Sequence, residues 1–106
     1  MLAVPGGTCY IPRMIRSFRD KRTAAVFEGR LRKGLAPELA GKARRALERI
    51  DAAQKVDDLR LPPGNRLEAL KGDRAGQWSI RVNDQWRICF VWRNDGPHEV
   101  ELVDYH

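Results

Sequence analysis

Gln77-Trp78-Ser79-Ile80-Arg81-Val82-Asn83-Asp84-Gln85-Trp86-Arg87-Ile88-Cys89-Phe90-Val91-Trp92 is the stretch that decides the fold. Trp78, Ile80 and Val82 alternate with Gln77, Ser79 and Arg81; Trp86, Ile88, Phe90 and Trp92 alternate with Arg87, Cys89 and Val91. A period of two with one apolar face is the signature of half-buried strands. Cross-strand partners share a face, so the connection must match apolar with apolar. A two-residue turn fails that test. A three-residue loop, Asn83-Asp84-Gln85, pairs Val82 with Trp86, Ile80 with Ile88 and Trp78 with Phe90, and on the other face sets Arg81 opposite Arg87. Like charges directly opposite destabilise a sheet unless an anion lies between them, and arginine is well shaped for bidentate phosphate contact. The alternative is two arginines that solvate an exposed sheet face. The tryptophan stripe reads as core packing rather than as a base-stacking platform.

Val100 and Leu102 extend the sheet after a turn at Asn94-Asp95-Gly96-Pro97. Setting Phe90 opposite Leu102 puts Arg87 opposite Tyr105, and a two-residue shift would still leave both on one face. Arg81, Arg87 and Tyr105 are therefore expected to form a row away from the tryptophans. Upstream, Leu67 to Leu70 is strand-like, and Pro62-Pro63-Gly64-Asn65 marks a loop within residues 57–66. Before that loop the period becomes helical. Asp20 is the expected N-cap of a first helix with Ala24, Phe27 and Leu31 on one face and Gly34 at its end. Pro37 opens a second, with Leu39, Ala43, Leu47 and Ile50 as its buried stripe. Lys42, Arg45 and Arg49 share a neighbouring face, read as solvated in preference to an RNA contact. Ile15 to Phe18 reads as a short first strand. The expected architecture is α+β, two N-terminal helices packed on one face of a small antiparallel sheet.

A chain of 106 residues suits one domain. Its 42% hydrophobic and 32% charged residues suit a folded chain rather than a disordered one. The net charge of +6 points to a polyanionic partner (nucleic acid, ribosome or acidic protein), or to a generic basic surface. No apolar run approaches the roughly 18 residues that span a bilayer, so no membrane role is expected. The Gly/Pro-rich residues 1–13 lack the pattern of a secretory signal. They read as an N-terminal extension, disordered or upstream of a functional start at Met14, leaving 14–106 as the domain. Cys9 and Cys89 have no metal-ligand spacing and read as free thiols of a cytoplasmic protein.

Several chemistries lack their parts: there is no P-loop, HExxH or CxxC, and neither Ser17 nor Ser79 lies in a nucleophile elbow. Glu68, Asp73 and Asp104 make a poor metal-nuclease cluster. What remains is phosphoryl chemistry without metal or cofactor, using acid/base groups and cationic stabilisation. RNA supplies its own nucleophile, the 2′-hydroxyl. Arg87 and Lys71 suit charge stabilisation, His106 is of the residue type suited to acid/base work, and Tyr105 can donate a proton or stack on a base. Glu68 reads either as a base or as an ordinary exposed glutamate.

With these residues in place, Met14 to His106 resembles the host-inhibition-of-growth (HigB-type) toxins of bacterial type II toxin–antitoxin systems, within the RelE superfamily. The matching elements are MIRSF from Met14, LKGDR at Leu70 to Arg74, WSIRVNDQWRICFVW from Trp78, and the terminal VDYH. The resemblance implies a RelE/microbial-ribonuclease-like fold and a ribosome-dependent endoribonuclease that cuts translated mRNA in the A site by metal-independent 2′-hydroxyl attack. Carried over residue by residue, it implies Lys71, Arg87, Tyr105 and His106 as active-site groups, with Asp104 beside them; Arg74, Arg81 and Asp104 are the expected substrate contacts. Some members carry histidine three residues before the lysine; this chain has Glu68, which leaves the general base open. The family also implies a helix-turn-helix antitoxin whose complex represses its own operon, so operator DNA is met only through that partner. The alternatives are a non-catalytic RNA- or ribosome-binding module and a co-repressor partner of a DNA-binding antitoxin.

Overall fold

Asp20 caps the first helix as its residue type demands: the side-chain carboxylate accepts the Thr23 backbone N–H at 2.7 Å. The computed structural model describes residues 15–30 and 35–104, so the expected extension over 1–13 lies outside the described residues. Helix α1 spans Lys21–Phe27. It is shorter than expected because Gly29, at φ +83°, ends it before Gly34 is reached. The Gly29 N–H donates to the Val26 carbonyl at 3.1 Å and the Arg30 N–H to Ala25 at 2.9 Å, the paired closure of a Schellman motif. The helix buries Thr23, Ala25 and Val26, while Ala24 and Phe27 of the expected stripe are only half-buried and Leu31 lies outside the described residues.

Helix α2, Pro37–Ala52, starts on its proline as expected. Ala43, Leu47 and Ile50 are completely buried, each large side chain contributing about 2 kcal/mol of burial. Leu39, the expected first member of that stripe, is half-buried at its margin. The loop that follows is organised rather than plain: 3₁₀ turns occupy Val56–Arg60 and Pro63–Asn65. Buried Asn65 locks them, donating to the Leu59 and Leu61 carbonyls and accepting from Arg49 of α2.

The sheet runs β1 (Glu68–Ala69), β2 (Trp78–Arg81), β3 (Trp86–Arg93), β4 (Gly96–Asp104), in that order, every neighbour antiparallel. Between β2 and β3 the expected register holds: Trp78 faces Phe90, Ile80 faces Ile88 and Arg81 faces Arg87. Between β3 and β4 it does not. Leu102 faces Ile88 rather than Phe90, and Arg87 faces Val103 rather than Tyr105. The two-residue turn pairs Arg93 with Gly96 and Val91 with His98; continued, that register would set Phe90 against Glu99 and turn Val100 and Leu102 off the core. A bulge restores parity, with Glu99 at φ +52° as the extra residue. Its N–H donates to Ser17 Oγ at 2.8 Å, and the Val100 N–H donates to the Ser17 carbonyl at 3.1 Å. The expected first strand is thus a single parallel bridge, Phe18 with Val100, that satisfies the bulge.

Both helices pack on one face of the sheet, α1 against β4 and α2 against β3 and β4. Ile80, Ile88, Phe90, Val100 and Leu102 meet Leu47 and Ile50 there. The three tryptophans pack at the margin of this core, partly exposed. The Arg22 guanidinium lies 5.3 Å from the Trp86 ring centre. No described helix is long and apolar enough to cross a membrane.

Candidate functional site

The opposite face of the sheet carries two polar rows. Glu68, Ser79, Cys89 and Glu101 align across the four strands, and Arg81, Arg87 and Val103 form the next row. Arg87 does not stand free on this face. Its Nε–H donates to Ser79 Oγ at 2.8 Å, and Nη2 donates to the Arg66 carbonyl at 2.7 Å and more weakly to the Ser79 carbonyl at 3.4 Å. Only 13% of its side chain is exposed, and Glu68 Oε1 lies 3.7 Å from Nη2. Arg66 is itself in the left-handed region, φ +46° and ψ +57°, at the end of the Pro63–Asn65 turn. Three acceptors fix the guanidinium plane. The Nη1 amino group has no hydrogen-bond partner among the described residues.

Beside Arg87 opens a cleft of about 520 Å³ lined by Gly64, Arg66, Glu68, Arg81, Asn83, Asp84 and Arg87. Arg81, opposite Arg87 in register, reaches instead to the Asp84 carboxylate. That pairing offsets the like-charge repulsion which an anion alone was expected to relieve. Glu68 projects from the edge strand, 60% exposed. Lys71 is exposed in extended backbone where β1 gives way to the Gly72–Arg74 turn, without an ion pair among the described residues. Arg74 is tied to Gln77 at 3.1 Å and to Glu101 at 3.4 Å, outside the cleft lining. Asp104 faces Trp86, in register with the core-facing residues rather than with Arg87, and accepts from Gln85 Nε2. Tyr105 and His106 lie outside the described residues.

Sequence reasoning missed Ser79 and Arg66. Ser79 occupied a polar position of the right parity, but nothing in its residue type marks it as a brace; the Arg66 carbonyl is backbone and has no sequence signature. Cys89 is buried in the same polar row, and burial pushes its thiol up, helped by Glu101, against the smaller lowering effects of Arg74 and Arg87. His98 sits across from Val91, with Nε2 2.6 Å from Asp95 Oδ1, and that hydrogen bond holds the Asp95 carboxyl below its usual range. No group of three His, Cys, Asp or Glu among the described residues is arranged to hold a metal ion.

Comparison with known proteins gives this cleft a context. Residues 16–106 match the family described as the RelE-like toxin of type II toxin–antitoxin system HigB. The chain belongs to this family. It is therefore a HigB-type toxin, and it has an antitoxin partner. Toxin HigB-1 of Vibrio cholerae serotype O1 is 46% identical over 80 residues, 74% of this chain and 84% of that protein. Endoribonuclease HigB of Proteus vulgaris is 34% identical over 93 residues, 88% of this chain and 100% of that protein. A solved structure titled YoeB/ParE toxin from Agrobacterium tumefaciens aligns with a TM-score of 0.48 at 18% identity, covering 88% of this chain and 98% of that one.

Proposed function

We propose that this HigB-type toxin is an endoribonuclease that cuts RNA in the cleft beside Arg87. The observation that carries the reading is the bracing of Arg87: one guanidinium, nearly buried, is held by Ser79 and Arg66 and keeps an amino group for an incoming oxyanion. A preorganised donor of this kind stabilises charge that develops in a transition state without reorganising to do so. The 2′-hydroxyl of the substrate attacks the adjacent phosphorus in line as its proton passes to a base. The phosphorane charge falls on Arg87 and Lys71, and the 5′-oxygen leaves with a proton from an acid. Glu68, at the rim of the cleft, is the candidate base; Tyr105 and His106 are the candidate acid and base-stacking groups. Arg81 is placed to contact the substrate backbone. Arg74 and Asp104 act less directly, Arg74 by tying the Gly72–Arg74 turn to β4 and Asp104 by bracing the β2–β3 loop through Gln85.

The proposed substrate is translated mRNA in the ribosomal A site, with the ribosome supplying the strand orientation that a cleft with one well-braced cation lacks. The proposed partner is a helix-turn-helix antitoxin, through which the complex meets operator DNA. The likeness to the endoribonuclease from Proteus vulgaris, along that protein's whole length, argues against a non-catalytic RNA-binding module or a pure co-repressor. The chemistry of the cut ends tests the mechanism. Fragments of translated message are expected to carry a 2′,3′-cyclic phosphate upstream and a 5′-hydroxyl downstream. Ends bearing 5′-phosphate would instead require attack by water, and this mechanism would be wrong.

A further inference from the structure

A second cavity, about 250 Å³, lies between α2 and the Pro62–Asn65 turn. Lys42, Arg45 and Arg49 line it from the helix, Arg81 and Val82 line it from β2, and no carboxylate is among the lining residues. The helix cations are spaced three and four apart, so they share one helix face, where like charges repel one another. Several other arginines are paired: Arg44 with Glu48, Arg60 with Asp57 and Arg74 with Glu101. Lys42, Arg45 and Arg49 form no ion pair among the described residues. Arg49 is nevertheless positioned, donating to the buried Asn65 side chain at 3.3 Å. A concentration of unpaired positive charge that disfavours the helix in isolation is what an anionic ligand would stabilise.

Two residues belong to both cavities. Gly64 and Arg81 line the groove and also the Arg87 cleft, so the two are continuous around the Pro63–Asn65 turn. We infer that one RNA strand runs through both, with the scissile phosphate at Arg87 and a neighbouring backbone phosphate of the same strand in the Lys42–Arg45–Arg49 groove. This rests on the RNA-cleaving reading of the Arg87 cleft and extends it to a substrate track. An acidic protein segment could meet the same charge, but the continuity with the cleft favours the strand that the cleft holds. The groove selects for phosphate, not sequence, since neither its cations nor its open shape reads base edges.

The test is binding of 2′-deoxy-blocked oligonucleotides, a trinucleotide and a dodecanucleotide, to the full chain by fluorescence anisotropy over a range of salt. For single strands each phosphate contact contributes about 0.7 to the slope of log affinity against log salt. Lys42→Ala with Arg45→Ala is expected to lower the dodecanucleotide slope by about 0.7 or more and to leave the trinucleotide unchanged. Gly64→Phe keeps every charge. A Cβ at Gly64 meets nothing within 4 Å, so the ring enters open space where the cavities join. It too is expected to weaken the dodecanucleotide. Lys21→Ala with Lys55→Ala removes the same charge outside the groove and is expected to leave the slope near that of the unaltered chain. An equal loss of slope in that control would reduce the effect to bulk charge and overturn the track. Unchanged RNA binding in the groove variant, with weakened antitoxin binding, would overturn it in favour of a protein-docking surface. Failure of the cleavage reading shows differently: translated message stays whole with the unaltered chain, whatever the groove variants do.

Discussion

The Arg87 corner and the α2 groove carry the same kind of charge and are built in opposite ways. Arg87 is 13% exposed, braced through Nε and Nη2 by a buried serine and a strained backbone turn. Lys42 and Arg45 stand exposed on a helix, without ion-pair partners among the described residues. The first arrangement fixes the direction of each N–H before a ligand arrives; the second offers charge and leaves direction free. Fixed donors suit a charge that exists only in a transition state, and mobile cations suit a phosphate that is charged throughout. The difference separates a place for chemistry from a place for binding.

Charge-conserving swaps are the hardest test of that contrast. Arg87→Lys keeps the cation and loses the planar fork, and one ammonium cannot serve Ser79, the Arg66 carbonyl and a phosphorane together. Cleavage of translated mRNA is expected to fall about 10²-fold, measured by primer extension. Arg45→Lys in the groove is expected to change it little. Comparable losses at both positions would remove the distinction.

Ser79→Ala probes the brace itself. The buried hydroxyl accepts Nε–H, so its loss leaves a charged donor short of a partner at a cost of about 1–2 kcal/mol, read by thermal unfolding. Cleavage is expected to drop roughly tenfold through misdirection of Arg87, about 1.4 kcal/mol in the barrier. Unaltered cleavage with the stability loss would make Ser79 structural only. The smallest effect on function is expected at Gly29, remote from both sites in its contacts. Gly29→Ala forces an L residue to φ +83° and puts a Cβ 3.4 Å from the Arg44 guanidinium. It should cost about 1 kcal/mol of stability and leave both cleavage and the RNA salt slope unchanged.

The same contrast marks what the sequence made legible. The β2–β3 register followed from residues 77–92 because alternation and a three-residue loop admit one apolar match, and the helices followed from Asp20, Pro37 and the Ala43–Leu47–Ile50 stripe. The β4 register was hidden. Glu99 is no glycine, so nothing advertised the left-handed bulge that moves Leu102 from Phe90 to Ile88. Gly29 was as visible as Gly34, but only the closing hydrogen bonds choose between them. At the site, Arg87 and Arg81 were readable as facing residues, whereas their separate fates were not: Asp84 claims Arg81, and Arg87 is held by Ser79 and a backbone carbonyl. The spacing of Lys42, Arg45 and Arg49 was plain and read as solvated surface. Its continuity with the cleft depends on Gly64 and Arg81, which only the tertiary fold brings to the same place.

Mapping 5′ ends on translated mRNA with Arg87→Ala, beside the unaltered chain, tests the central claim most directly. Thermal unfolding should show the variant folded, since Ser79 and the Arg66 carbonyl can take water where the guanidinium leaves. Cleavage should fall by about 10²–10³-fold, the scale of losing one preorganised donor to a transition-state oxyanion. Undiminished cleavage by the folded variant would contradict the account, because the RNA would then be cut somewhere other than the cleft that Arg87 defines.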